Sequence, residues 1–209
     1  NGVNLMVGHL LLFHPAIIKI KNLIEKGSIG RLQYIYSNRI NLGKVRTEEN
    51  VFWSLAPHDI AIFQYLTDSD PKKIKSSGST FLQEKIPDST LTYIEYENGV
   101  NGHIFVSWLH PFKEHRIVII GSERMITFED SVEGKPLKLY SKKIDFTGDI
   151  PLKIDGPVEL VDYDQDLPLK MEMEYFLEHL DQKKLTKSNG SHGVDVMKVL
   201  VEASKQFLT

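Results

Sequence analysis

The sequence predicts an α+β fold with an open, mostly antiparallel sheet and helices on one face. Strand-like alternation is concentrated in the middle of the chain, between residues 72 and 140. Helical spacing closes the chain in two successive segments, and one short strand–helix unit opens it. Strands and helices segregated in this way, instead of alternating, build antiparallel sheets covered from one side.

Taken in order, Leu5-Met6-Val7 reads as a short buried strand ending at Gly8-His9. Pro15 opens a helix whose apolar positions Ile17, Ile18, Ile20, Leu23 and Ile24 are stopped by Gly27. A strand follows over residues 31–41. It sets Leu32, Tyr34, Tyr36, Asn38 and Ile40 on one face against Gln33, Ile35, Ser37, Arg39 and Asn41 on the other. The polar residues 43–50 lead to the next helix. Ser54 is a good N-cap there, Pro57 suits a first turn, and Ile60, Phe63 and Leu66 follow at helical spacing. Residues 72–81 read as a strand. Residues 89–96 and 100–108 form a hairpin around Asn98-Gly99. A second hairpin spans 115–120 and 124–128, and 137–140 adds another strand. Residues 147–156 look irregular. Helices are predicted over 169–182 and 192–208, the second burying Val194, Met197, Leu200, Val201 and Phe207.

Composition narrows the function. The 209 residues are 41% hydrophobic and 25% charged, which suits a packed core. A net charge of -3 without a basic run argues against nucleic acid as a partner. The absence of cysteine excludes a disulfide framework, a thiol nucleophile and thiolate zinc, and fits a cytoplasmic protein. No apolar run reaches the ~18 residues of a membrane span, so no membrane partner is expected. The apolar start lacks a basic segment and so does not resemble a signal peptide. Asn189-Gly190-Ser191 matches a glycosylation sequon but reads as a plain loop.

Chemistry gathers at residues 50–60, Asn-Val-Phe-Trp-Ser-Leu-Ala-Pro-His-Asp-Ile. His58, placed in a first helical turn, would be kept neutral by the helix dipole and available as a base. The plainer reading is a structural or exposed histidine. Asp59 could orient a ligand, or simply favour a helix start. Trp53 could wall a ring, or belong to the core. Arg39 and Lys113 could each meet a phosphate, or be ordinary exposed cations, with Arg116 a weaker candidate. Eight histidines are present, yet no metal motif occurs and no metal site is expected. No Gly-x-Ser-x-Gly elbow supports acyl transfer. No Gly-x-Gly-x-x-Gly turn occurs, and Gly27-Ser28-Ile29-Gly30 ends a helix instead of beginning one.

Taken together, these residues resemble the glucose–fructose oxidoreductase/inositol dehydrogenase (Gfo/Idh/MocA) family. Met6-Val7-Gly8-His9 with Phe13-His14-Pro15 is similar to the family's last Rossmann strand and the helix after it. Residues 27–32 are similar to its passage into the second domain. The most specific match is Trp53-Ser54-Leu55-Ala56-Pro57-His58-Asp59-Ile60, where many members have aspartate in place of Ser54. With Ser107-Trp108-Leu109-His110-Pro111-Phe112-Lys113, it looks like the branch that acts on UDP-N-acetylamino sugars at C3.

The resemblance implies that residues 1–30 are a remnant of the last Rossmann βα unit. Residues 31–209 would then be the C-terminal substrate-binding and oligomerisation domain. It implies an NAD(P)-dependent oxidoreductase of a sugar or UDP-sugar, with NAD or NADP held by an N-terminal domain. His58 would be the general base on the sugar hydroxyl, and Asn38, Arg39, Trp53, Asp59 and Lys113 would line the substrate. A homo-oligomer through the open sheet face is also implied. The dinucleotide-binding glycines and the family's Glu-Lys-Pro are missing, and Glu84-Lys85-Ile86-Pro87 is not that motif. The expectation is therefore a C-terminal piece of a longer enzyme, inactive alone. The alternative is a non-catalytic module for sheet-mediated self-association or sugar-nucleotide binding.

Overall fold

The computed structural model of the protein describes residues 3–180 and 184–207. Its strands are β1 (Leu32–Ile40), β2 (Pro71–Ser79), β3 (Ser89–Tyr96), β4 (Asn101–Ser107), β5 (Glu114–Gly121), β6 (Met125–Glu129), β7 (Leu137–Asp145) and β8 (Leu152–Leu160). They form one open sheet in the order β2-β3-β4-β1-β5-β6-β7-β8. Neighbours are antiparallel except β1 and β4, which run parallel. Parallel neighbours need a crossover. Here α2 (Val51–Thr67) and the β2–β3 hairpin supply it. The architecture is the open, mostly antiparallel α+β sheet that the grouping of strands predicts.

Strand alternation divides the sheet into two unlike faces. In β1, Ile35 and Ser37 are buried on the helix side, while Tyr34, Tyr36 and Asn38 stand on the other. The pairing register carries this division outward. Ile104 and Val106 of β4, Ile117 and Ile119 of β5, and Ile126 and Phe128 of β6 join the buried side. Onto it pack α2 and α4 (Gly190–Ser204), while α1 (Pro15–Glu25) packs on α2 and α3 (Pro168–Glu178) on the short turn Leu10–Phe13. Leu12, Phe13, Ile17 and Ile20 share one core with Phe52, Ile60, Phe63 and Ile104. That core takes in side chains from both sides of the boundary expected at residue 30. Among the described residues, no helix is long and apolar enough to cross a membrane.

Several sequence expectations are corrected. Leu5-Met6-Val7 is not a strand; Met6 makes one isolated bridge to Asn189, and Val7 exchanges hydrogen bonds with Ser188. A turn offers too little edge to extend a strand. A 3-10 turn, Leu10–Phe13, then precedes α1. Part of the stretch expected to be irregular is β8, an edge strand exposed along nearly its whole length. Its core-side partners are few, which is why no alternation is legible there. In α4 the buried stripe is Val196, Val199, Leu200 and Ala203, while Val194, Met197 and Val201 are exposed. Helical spacing alone allowed either stripe. The helix predicted over 169–182 ends at Glu178, and its last expected residues, 181–182, lie outside the described residues, as does 208 of the final helix.

The passage from α1 to β1 uses Gly27 and Gly30, both left-handed, at φ +69° and +71°. It packs tightly on the β5–β6 turn. A Cβ at Gly121 would lie 2.1 Å from the Ile29 carbonyl oxygen. Gly121→Ala is therefore expected to lower stability by about 2–4 kcal/mol. Gly148→Ala, which meets nothing within 4 Å, is expected to change it little. Urea denaturation midpoints of the two variants check this.

Candidate active site around His58

The helix that carries His58 starts earlier than its sequence suggests. Asn50, not Ser54, is the N-cap, and its side chain accepts from the Trp53 N–H at 3.1 Å. The Val51 N–H donates to the Pro87 carbonyl at 3.0 Å. Next to it, Asp88 is fully buried and accepts from the N–H groups of Phe81 and Leu82, both at 2.7 Å. Its carbonyl receives the Trp108 N–H at 2.9 Å. Asp88 thus binds the loop after β2 to the end of β4 and fixes where α2 begins. Pro57 consequently lies inside the helix, where it removes one backbone donor. The helix nevertheless continues through it to Thr67, with Phe52, Ala56, Ile60 and Phe63 buried on either side of the proline.

His58 therefore sits about two turns into α2, beyond the first turn where the helix dipole acts. Its ring is nevertheless pushed toward the neutral form. Burial is the first cause and the Arg39 guanidinium the second, while Asp59 pulls the other way. His58 lies near His9, which packs edge-on against His192 with ring centroids 5.2 Å apart. Three segments meet here: the residues before the 3-10 turn, α2, and the first turn of α4. A Cβ at Gly193 would come within 2.7 Å of Val7 Cγ2, so the glycine permits the close approach that brings His9 to His192. His9 Nε2, His58 Nδ1 and His192 Nδ1 are buried without a hydrogen-bond partner among the described residues. No group of three or more His, Asp or Glu among those residues is placed to hold a metal ion.

Beside His58, Arg39 grips Asp59 with two hydrogen bonds. Nε donates to Oδ2 at 2.7 Å and Nη2 to Oδ1 at 3.2 Å. The third nitrogen, Nη1, lies 3.2 Å from His115 Nδ1. Asp59 is 2% exposed. Burial works against the Arg39 charge, and the Asp59 carboxylate more than offsets it. A cavity of about 20 Å³ is lined by Arg39, Asp59, His115, Phe128 and Asp130.

The other expected site residues do not converge on this point. Asn38 follows strand alternation to the opposite face of the sheet from Arg39. There it donates to Glu114 at 2.7 Å, and Glu114 also pairs with Arg116 at 2.6 Å. Asn38 and Arg39, expected to line one substrate, thus stand on opposite faces of the sheet with different partners. Trp53 precedes His58 by five positions, which turns it roughly 140° around the helix. Its indole N–H donates to Ser204 at 2.8 Å, and it lines a surface cavity with Asn50, Lys85 and Ile86. Lys113 is exposed in the loop before β5 and reaches the site only through its charge, which disfavours a charged His115. His9, His115, His192 and Asp88 escaped the sequence reading. His115 had a signal, since it continues the buried alternation of Ile117 and Ile119 on its strand. His9 and His192 had none, because chain distance hides their meeting.

His9 and His115 are each lowered to about 4, by burial first and then by neighbouring positive or ionisable groups. His14, His58, His103 and His192 move in the same direction. Unfolded histidines take up protons near 6.5, so on acidification the unfolded chain binds protons before the folded one. The stability these groups contribute is complete above about pH 6.5 and is lost as pH falls toward about 4. Urea midpoints measured across that window are expected to drop with pH. His115→Gln should flatten the slope.

Comparison with known proteins identifies the family and the fold. Residues 17–127 match the family model described as the GFO/IDH/MocA C-terminal domain. The chain is 27% identical over 136 residues to a scyllo-inositol 2-dehydrogenase (NAD(+)) of Bacillus subtilis, covering 60% of this chain and 40% of that protein. It is 21% identical to a D-xylose 1-dehydrogenase [NADP(+)] of Haloarcula marismortui, covering 98% of this chain and 59% of the relative. The chain thus spans less than two thirds of the length of either. Its fold matches that of UDP-N-acetylglucosamine 3-dehydrogenase GnnA from Acidithiobacillus ferrooxidans with a TM-score of 0.79, 20% identity, and coverage of 98% and 62% of the two chains. An aldose-aldose oxidoreductase from Caulobacter crescentus matches with a TM-score of 0.80 at 12% identity, covering 97% and 61%. With more than half of its residues matched by the family model, the chain belongs to the Gfo/Idh/MocA oxidoreductase family and carries its C-terminal domain.

Proposed function

We propose that this chain is the substrate-binding part of an NAD(P)-dependent oxidoreductase acting on a sugar or nucleotide sugar, with His58 as general base. The carrying observation is His58 itself, half-buried on α2 and displaced toward its neutral form within the stretch that matches the family. Oxidising a sugar alcohol removes a hydride from carbon and a proton from oxygen. A neutral imidazole can take that proton. The residues present do not fit a dinucleotide. Gly27 and Gly30 follow the end of α1, whereas a pyrophosphate is held at a helix start. The hydride acceptor therefore belongs to residues other than those described. The named relatives act on inositol, xylose and UDP-N-acetylglucosamine, which supports a polyhydroxylated substrate without fixing which one.

A second reading draws on the sheet face that no helix covers among the described residues. Tyr36 and His103 stack there with centroids 4.9 Å apart, and Tyr34 bonds His103 Nδ1 at 2.7 Å. With Phe105, Val118 and Ile120 in the same register, this face has the apolar, aromatic character of an interface between copies of the chain. The two readings are compatible. Sedimentation that found only monomers at high concentration would remove the second.

The chain alone is expected to show no NAD(P) reduction with UDP-sugars, aldoses or inositols. Joined to its upstream dinucleotide domain, it is expected to turn one of them over. His58→Ala in that longer protein should lower kcat by about 10²- to 10⁴-fold. Full turnover by the variant would remove the assignment.

A further inference from the structure

We propose that Arg39 and Asp59 act on the reaction as a positioning pair, a buried dipole clamped beside His58 that sets how readily its ring takes a proton, and not as ligands of the sugar. The inference rests on the reading of His58 as the base. Its geometry is independent of that reading. Both Asp59 oxygens are engaged by Arg39, and all three guanidinium nitrogens face Asp59 or His115. The adjoining cavity of about 20 Å³ has room for one water at most. A sugar hydroxyl could reach either side chain only by breaking a buried two-point bond. Arg39 also stands on the helix side of β1, whereas Asn38, the neighbour expected to share a substrate with it, stands on the other.

What the pair can do is electrostatic. Asp59 follows His58 directly on α2, and the guanidinium reaches the same turn of the helix from β1. The carboxylate attracts a proton to His58, and the guanidinium repels one. A fork fixes the balance, because neither charge can move without the other. From the remaining elements His9, ahead of the 3-10 turn, acts on His58, and His192, in the first turn of α4, packs on His9. His9 is neutral above about pH 4, so near neutrality the local charge is set by Arg39 and Asp59. His115 completes the clamp at Nη1, with Asp130 and Lys113 acting on His115 from further out.

The test is the titration of the His58 ring by NMR in this chain, comparing Arg39→Gln, Asp59→Asn and Arg39→Lys. Circular dichroism would establish that each variant is folded. Removing the cation should raise the His58 midpoint, and removing the anion should lower it. Arg39→Lys, which keeps the charge, should stay near the parent value. Opposite shifts support the proposal, since mere loosening of the fold would carry both variants in the same direction, toward an exposed histidine. Shifts of the same sign, or none, overturn it. If Arg39→Gln fails to fold, Asp59→Asn and Arg39→Lys decide by themselves: no downward shift in the first, or a clear upward shift in the second, overturns it. Because these titrations read His58 directly, their failure is separable from failure of the His58→Ala test of the base.

Discussion

The fork between Arg39 and Asp59 ties the central strand to the central helix. β1 has β4 on one side and β5 on the other, so whatever fixes β1 to α2 fixes the middle of the sheet to the helical layer. Two full charges are withdrawn from water to make this tie, at a cost of several kcal/mol per ion before their attraction is counted. Removing one partner of such a pair typically costs about 3–5 kcal/mol, because the other is left buried alone. An apolar pair of the same shape could serve stability as well or better. Its value here lies in direction. It fixes the rotation of α2 about its axis, and with it the place where His58 stands.

The same helix is held at its start by a different device. Asp88 collects two loop N–H groups on one carboxylate oxygen and bonds the end of β4 through its carbonyl. The Pro87 carbonyl beside it takes the first N–H of α2. The loop after β2 therefore serves as an external cap, and the interior position of Pro57 follows. A helix that began at Ser54 would have satisfied local preference. The one observed begins at Val51, because burying Phe52 and meeting the Pro87 carbonyl outweigh a proline that removes a single backbone bond. The push of His58 toward its neutral form, which a helix start would have explained through the dipole, comes instead from burial and then from Arg39.

The strands were readable because alternation survives wherever one face is buried. β3 and β4, joined at Asn98-Gly99, and the β5–β6 hairpin lie within a residue or two of their expected ends. β8 was unreadable, since an exposed edge strand imposes no alternation on its side chains. In the site, His58 stood out only with its neighbours Trp53, Ser54, Pro57 and Asp59. Arg39 and Asp59 were legible as polar residues of interest, but their partnership was not. A sequence shows a charge without showing what it faces.

Local chemistry in the sequence determined the class of fold, the two faces of β1, the glycine turns and the family. These depend on side-chain periodicity and on backbone freedom, which are properties of neighbours in the chain. Tertiary structure decided where α2 begins, which stripe of α4 is buried, and that Asn38 and Arg39 part company across the sheet. It also decided that His9, His58 and His192 would gather from distant segments. Each of those outcomes is set by which surface meets which, and burial and pairing between remote residues leave no trace in local spacing.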